Sequence, residues 1–392
     1  MSVWDALVGQ DPLVAVLRAA VDEAARGDSA PDRPAAAMSH AWLVTGPPGS
    51  GRSTMARAFA AALQCERGGC GECRACRTVL AGTHPDVTVV DTDVLSVGVE
   101  EARDLALRAA LAPAGGRWQV VIVEDADRLT ESAANALLKS IEEPAAHTIW
   151  VLCAPSPDPQ HVPTTIVSRC RPLVLRTPPT AAVAEHLASR EAVPASVAAF
   201  AARASQGHIG LARALALDEF ARRRRQVVLR IPAELRDLGT AMASAANLAD
   251  AARDAAAERS EPMDARELAA LEAIHGAAGE RALTSAAPAR KELERSQRLR
   301  SKRMVLDALD RALVDLATFY RDLLVLQLGA EVSLVNEESR TGLERFARDT
   351  QPEHALAAID AIFATREALV GQVAPQLALE SLLVSLAGLI AA

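Results

Sequence analysis

The run Gly46-Pro47-Pro48-Gly49-Ser50-Gly51-Arg52-Ser53 sits between an apolar, strand-like segment and a helix-forming one. In that context a glycine-rich loop turns its backbone N–H groups toward phosphate at a helix N-terminus. The competing reading is a plain glycine-rich turn joining strand to helix. A phosphate loop of this spacing calls for lysine where the chain has Arg52. Lysine acts there as a compact point charge, whereas guanidinium is larger and prefers forked contacts. The expectation is that these residues and Thr54 hold ATP or ADP with magnesium, and that hydrolysis is inefficient.

The apolar run 120–123 ends in Glu124-Asp125. Nucleotide hydrolysis by a phosphate-loop enzyme uses an acidic pair at such a strand end, one residue holding magnesium and one polarising the attacking water. The usual order is Asp then Glu; here it is inverted. Glu124 is long enough to reach a metal, but Asp125 would hold a water farther away. The alternative is a surface acidic pair at a strand end.

Cys65, Cys70, Cys73 and Cys76 stand within twelve residues, with Gly68, Gly69 and Gly71 among them. Four thiolates at this spacing can close a tetrahedral zinc site unaided, and the glycines supply the tight turns that chelation demands. An iron–sulfur cluster, a redox pair and free thiols remain as alternatives. The other two cysteines, Cys153 and Cys170, are isolated and read as buried fillers.

The elements that must position these groups are legible as alternation of apolar runs and amphipathic stretches. Strands are predicted at 41–45, 87–90, 119–123 and 148–153, and helices at 53–64, 99–111 and 131–142, the last stopped by Pro144. This pattern gives an α/β domain with a parallel sheet over residues 1–177. After the break Thr177-Pro178-Pro179-Thr180, residues 178–217 read as a small helical lid without strands. Residues 218–392 read as an all-α domain. Its segments 305–328 and 354–389 show 3.6-residue periodicity, with Leu306, Leu309, Leu313, Leu316 and Tyr320 on one stripe. Within it, 233–300 reads as a low-complexity insertion. Its stretches 251–261 and 277–290 are expected as solvated helices or a mobile segment.

The 392 residues are 50% hydrophobic and only 3% aromatic, and carry a formal charge of −8. That balance argues against a free-standing nucleic-acid binder working through a broad basic face. The run Arg222-Arg223-Arg224-Arg225 is accordingly read as a solvated helix face. No charged and apolar leader opens the chain, and no apolar run reaches the roughly 18 residues of a membrane span. A cytoplasmic protein without a membrane partner is expected.

Taken together, these residues resemble the AAA+ clamp-loader subunits of bacterial DNA polymerase III. The resemblance rests on Val8-Gly9-Gln10, the phosphate loop and the cysteine module after the following helix. It continues in Asn135-Ala136-Leu137-Leu138-Lys139-Ser140-Ile141-Glu142-Glu143-Pro144, Pro163-Thr164-Thr165-Ile166-Val167-Ser168-Arg169-Cys170 and Ala374-Pro375-Gln376-Leu377-Ala378-Leu379-Glu380. In that family the Ser-Arg-Cys motif presents an arginine finger to ATP held by the adjacent subunit. The resemblance thus implies that Ser168 and Arg169 act in trans. It further implies a structural zinc, and a helical C-terminal collar holding a hetero-pentamer of motor subunits, a delta subunit and this chain. The assembly loads a sliding clamp onto primed DNA. Active members of the family carry an arginine sensing the γ-phosphate in a segment resembling Gly207-His208-Ile209-Gly210; here Gly210 takes that place. With Arg52 and the inverted acidic pair, this separates the chain from the family's motor subunit. An active motor subunit or another AAA+ remodelling enzyme is the alternative.

Overall fold

A computed structural model describes residues 2–26, 38–90, 96–276, 280–371 and 373–391. The chain divides into two compact units, Met1–Leu217 and Asp218–Ala392.

The first unit is built on five parallel strands: β1 (Ala41–Thr45), β2 (Val87–Val90), β3 (Gln119–Val123), β4 (Thr148–Ala154) and β5 (Arg171–Val174), in the order β2-β3-β4-β1-β5. Every residue of β1, β3 and β4 is buried. A parallel sheet is covered on both faces, and these strands therefore read as unbroken apolar runs. On one face pack α1 (Asp11–Arg26), α2 (Arg52–Gln64) and α3 (Arg74–Leu80), with Trp42 meeting Phe59 edge-on at 5.4 Å between ring centroids. On the other pack α4 (Val99–Ala109), α5 (Glu131–Glu142) and α6 (Thr164–Val167), around Trp150 and Leu137. The fold is an α/β one, a parallel five-stranded sheet with helices on both faces.

Two elements depart from the sequence reading. Strand β5 was not foreseen: it is four residues long, contains Pro172 and lies at the sheet edge. Proline is tolerated there because an edge strand does not need every N–H, and the short, half-exposed run carries no periodic signal. Helix α3 starts inside the cysteine module, capped by Cys73, whose sulfur accepts from the Cys76 N–H. At the boundaries, β4 extends one residue beyond the expected end, α2 begins one residue early, and α4 stops at Ala109.

After the proline break come α7 (Thr180–Arg190), α8 (Ala195–Ala204) and α9 (Ile209–Leu217), without a strand. The buried Gln10 ties the amino-terminal segment to the start of this region. Its Nε2 donates to the Arg176 carbonyl at 2.7 Å, and its Oε1 accepts from the Arg176 N–H at 3.3 Å.

The second unit contains α10 (Glu219–Glu234), α11 (Leu238–Gly276), α12 (Glu280–Gln327), α13 (Arg340–Asp349), α14 (Pro352–Val370) and α15 (Pro375–Ala391). The stripe Leu309, Leu313, Leu316 and Tyr320 is buried in its core, with Leu306 packed at the margin. The stretch 251–261 lies in α11 and is only partly solvated. Ala252 and Ala256 are buried because small side chains let the neighbouring helix approach. Residues 277–279 of the second expected stretch fall outside the described residues, and 280–290 are helical.

The arginine run is not a wholly solvated face either. Arg225 is 4% exposed, donating to Asp315 at 3.0 Å, Glu338 at 3.1 Å and Asn336 at 2.5 Å. A buried guanidinium needs such partners, because removing one leaves an uncompensated charge. Among the described residues no helix is long and apolar enough to cross a membrane.

Candidate functional site

The phosphate loop leaves the carboxyl end of β1, beside β4. In open α/β sheets this is where ligands bind, at the point where the strand order reverses. Gly46, Gly49 and Gly51 all have positive φ, at 154°, 78° and 96°. Gly51 then serves as the N-cap of α2, so that the helix opens with its N–H groups toward the loop. Ser50 Oγ and Thr45 Oγ1 are buried without a hydrogen-bond partner at the loop's base. The backbone is thus shaped as a phosphate cradle spanning Gly46, Pro47, Pro48, Gly49, Ser50, Gly51 and the first turn Arg52, Ser53 and Thr54.

The side chains around the cradle are turned to other partners. Arg52 Nη1 donates back to the Gly46 carbonyl at 2.8 Å, inside the loop itself. Glu124 accepts from Arg57 Nε at 2.7 Å, and Asp125 pairs with Arg128 at 3.7 Å. At the loop's apex Ile209 N–H donates to the Gly49 carbonyl at 3.1 Å, and the His208 ring lies directly against Gly49. The loop's left-handed glycines and the opening turn of α2 give this site a backbone of the kind that receives phosphate. The cation and the carboxylates that would serve hydrolysis are engaged elsewhere.

The four cysteines converge. All four sulfurs lie within 4.8 Å of one another, and both Cys70 and Cys73 stand 3.7 Å from Cys65. A tetrahedron with zinc–sulfur bonds of about 2.3 Å has edges of about 3.8 Å, whereas a disulfide would bring two sulfurs to about 2.05 Å. Backbone N–H groups of Arg67 and Cys70 point at the Cys65 sulfur, that of Cys73 at Cys70, and that of Cys76 at Cys73, at 3.4–3.5 Å. The N–H groups of Glu72 and Cys73 pull the Cys70 thiol down to about 6. Burial opposes ionisation of Cys65, but the amides of Cys70, Gly69 and Arg67 outweigh it and its thiol is lowered. Burial pushes Cys76 up. The donor set fits a structural zinc ion. Tying the module down, Trp4 Nε1 donates to the Gly68 carbonyl at 3.0 Å and Val3 N–H to that of Gly69 at 3.0 Å.

Arg169 follows the single turn of α6, and Ser168 is that turn's C-cap. Its Nε donates to Glu142 at 3.0 Å, and its Nη1 to the Thr165 carbonyl at 3.0 Å and to Ser168 Oγ at 3.4 Å. Its side chain is one-third exposed and that of Glu142 more than half. An ion pair this wet is worth about 1 kcal/mol or less, so the guanidinium is inexpensive to redirect.

The family model described as "DNA polymerase III, delta subunit" matches residues 33–179, and that for the delta subunit's C-terminal part matches residues 305–388. The chain belongs with the DNA polymerase III clamp-loader subunits. Over 156 residues it is 42% identical to DNA polymerase III subunit delta' of Pseudomonas aeruginosa, covering 38% of this chain and 47% of that one. Over 138 residues it is 38% identical to DNA polymerase III subunit tau of Bacillus subtilis, covering 34% of this chain and 24% of that one. These matches span less than half the length of either relative. A gamma-subunit-related protein of Thermotoga maritima matches over 89% of this chain and 94% of its own length, at 14% identity and a TM-score of 0.38.

For this clamp-loader subunit, sequence reasoning named the loop, the acidic pair, the cysteines and Arg169. It did not name Arg57, Arg128, Glu142 or His208 as their partners. In the sequence the segment containing His208 stands out only through Gly210, and a histidine beside a glycine gives no sign that its ring covers another glycine 159 positions away.

Proposed function

We propose that this chain is the delta-prime-type, non-motor subunit of a DNA polymerase III clamp loader. In this reading residues 1–177 form a nucleotide-binding-like domain, 178–217 its lid and 218–392 a collar. The chain assembles with motor subunits and a delta subunit into a hetero-pentamer in the cytoplasm. That assembly opens a sliding clamp and places it on primed DNA. Zinc held by Cys65, Cys70, Cys73 and Cys76 is structural. ATP or ADP, if held with magnesium at the phosphate loop, is hydrolysed barely above background.

The observation that carries the reading is the contrast between two arginines. Arg52, in the chain's own loop, is tied to the Gly46 carbonyl, while Arg169 stands half-buried at the surface on a wet ion pair with Glu142. A permanently charged, planar guanidinium suits stabilising the negative charge of phosphoryl transfer at a neighbour's site. Assembly is supported by exposed apolar side chains in the second unit: Leu356, Phe363 and Val370 on one face of α14, and Leu377 and Val384 on one face of α15.

The rival reading, a motor subunit, draws on the similarity to tau. The engaged Arg52, the inverted Glu124-Asp125 pair and Gly210 weigh against it. Reconstitution decides between them. The chain mixed with delta and motor subunits should enter one complex of five subunits by light scattering, and clamp loading should require it. A chain that forms a hexamer by itself and hydrolyses ATP at about 1 per second or faster, within the ordinary enzyme range, would overturn the proposal.

A further inference from the structure

The second unit carries a helical arm in the segment 180–304 that lies between the two family matches. The distal part of α11 runs against the first part of α12. The pairing is fixed by Arg300, which is 4% exposed and donates to Asp264 at 2.6 Å and to Glu267 at 2.6 and 2.8 Å. Gln297 adds bonds to the Asp264 carbonyl and to Glu267. These contacts set which face of α12 meets α11.

On the opposite face stand Lys291, Arg295, Arg298 and Lys302, all exposed. Their spacing of four, three and four residues keeps them within about 60° of one another at 100° per residue, on the side away from Gln297 and Arg300. Between 290 and 303 there are seven basic residues and two acidic ones, Glu292 and Glu294. Both acids flank the row. Glu294 pairs with Arg290 at 3.1 Å, and Glu292 lies 3.9 Å from Arg295. On α11, by contrast, residues 258–272 carry five acidic and two basic groups, and part of that charge is spent on Arg300. The arm is therefore basic along one edge in a chain whose total charge is −8.

We infer that this edge of α12 binds the phosphate backbone of duplex DNA without reading its sequence. The row extends about 16 Å along the helix axis at about 1.5 Å per residue. It presents long flexible cations to a line of anions, as backbone contacts do. No aromatic residue lies between 291 and 302, so the row offers no platform for stacking unpaired bases. The row ends before α12 enters the core at Leu309.

The choice of DNA as the probe rests on the clamp-loader reading above. The test uses the full chain and a fluorescent duplex of mixed sequence, followed by anisotropy across a salt series, with a single strand of equal length beside it. Wild type should bind the duplex more tightly than the single strand. Lys291→Gln, Arg295→Gln, Arg298→Gln and Lys302→Gln combined should weaken duplex binding at least tenfold. The same change should flatten the plot of log affinity against log salt by about 3 to 4, since each lost phosphate contact removes about 0.9. Helicity by circular dichroism should be unchanged, as Arg300 and Gln297 are kept. If the variant binds with the wild-type affinity and salt slope, if wild type binds no duplex at low salt, or if the single strand is preferred, the inference fails. Assembly with delta and motor subunits is measured on the same variant. Lost assembly in wild type would count against the clamp-loader reading, whereas lost DNA binding with assembly intact bears on the arm alone.

Discussion

The imidazole of His208 lies so close to Gly49 that a β-carbon at that position would collide with its Cγ, Cδ2 and Nδ1 atoms. The Ile209 N–H, next along the chain, donates to the Gly49 carbonyl. Helix α9 thus docks on the apex of the phosphate loop, and glycine is required there twice, for the contact and for its φ of 78°. Left-handed backbone costs a residue with a side chain about 1–2 kcal/mol before any collision. Gly49→Ala should therefore lower the unfolding midpoint measurably by calorimetry. His208→Ala should relieve the steric part, giving a coupling of about 0.5–3 kcal/mol in a double-mutant cycle. Additive effects would mean that the ring and the loop do not touch in solution.

Hydrolysis by the isolated chain should stay near background. Arg52 is bonded to Gly46 and Glu124 to Arg57, and Gly210 has no side chain at the position where the family resemblance implies a γ-phosphate sensor. Arg52→Lys repairs only the first of these, so it should not restore turnover. Phosphate release measured for wild type and variant, alone and without DNA, checks this, and a rate near 1 per second in either would contradict it.

Much of this was legible beforehand, for a physical reason. Strands β1, β3 and β4 are buried on both faces and announce themselves as apolar runs, and the cysteine spacing is short-range chemistry that needs no tertiary context. What the chain hides is long-range pairing. Arg57 is an ordinary helical arginine until Glu124, 67 positions away, is brought to it by the sheet. Arg225 looked like a member of a solvated run because its partners Asp315, Asn336 and Glu338 lie about a hundred positions downstream. Strand β5 was missed because an edge strand needs neither apolar continuity nor a full set of N–H donors.

One zinc per chain is expected, by metal analysis of reduced, chelator-free protein; its absence would sink the cysteine reading. Because Trp4 donates to Gly68 inside the module, stripping the metal should also shift tryptophan emission toward the red as that contact loosens. Trp4→Phe should abolish the shift. Cys73→Ser should weaken metal binding while leaving the far-ultraviolet signal of the sheet and helices nearly unchanged, since the site closes on its own segment.

Asp86 gives the first unit an acid-sensitive clamp. Burial works against ionisation, but its carboxylate accepts N–H bonds from Ala114 at 2.6 Å, Gly115 at 3.1 Å and Gly116 at 2.5 Å, and these hold it below the usual carboxylate range. A carboxyl lowered on folding contributes stability above its unfolded value of about 3.9 and loses it as the pH falls below that toward the folded value. Asp86→Asn should destabilise at pH 7 by about 1–3 kcal/mol, as for a charged hydrogen-bond acceptor. It should also flatten the decline of stability as the pH falls below about 4. Urea unfolding across that range would refute the assignment if wild type and variant declined alike.

Arg169 offers the sharpest test of the trans role. Its partners Glu142 and Thr165 are half-exposed or main-chain groups at the surface, so Arg169→Ala should leave the fold and subunit assembly intact. The same change should depress DNA- and clamp-stimulated ATP hydrolysis by the reconstituted complex. Trans arginines are worth roughly 10³ to 10⁵ in rate in GTPases, but the loss here should be smaller, because in the proposed assembly only one ATP site of several would lose its arginine. Arg169→Lys should not recover full activity, since ammonium keeps the charge without the planar fork. Glu142→Ala discriminates further. If Glu142 only parks the guanidinium, its loss should leave stimulated hydrolysis intact or raise it; if the pair is purely structural, Glu142→Ala and Arg169→Ala should behave alike. An alanine variant at 169 that assembles, hydrolyses ATP and loads clamps at the wild-type rate would remove Arg169 from the mechanism.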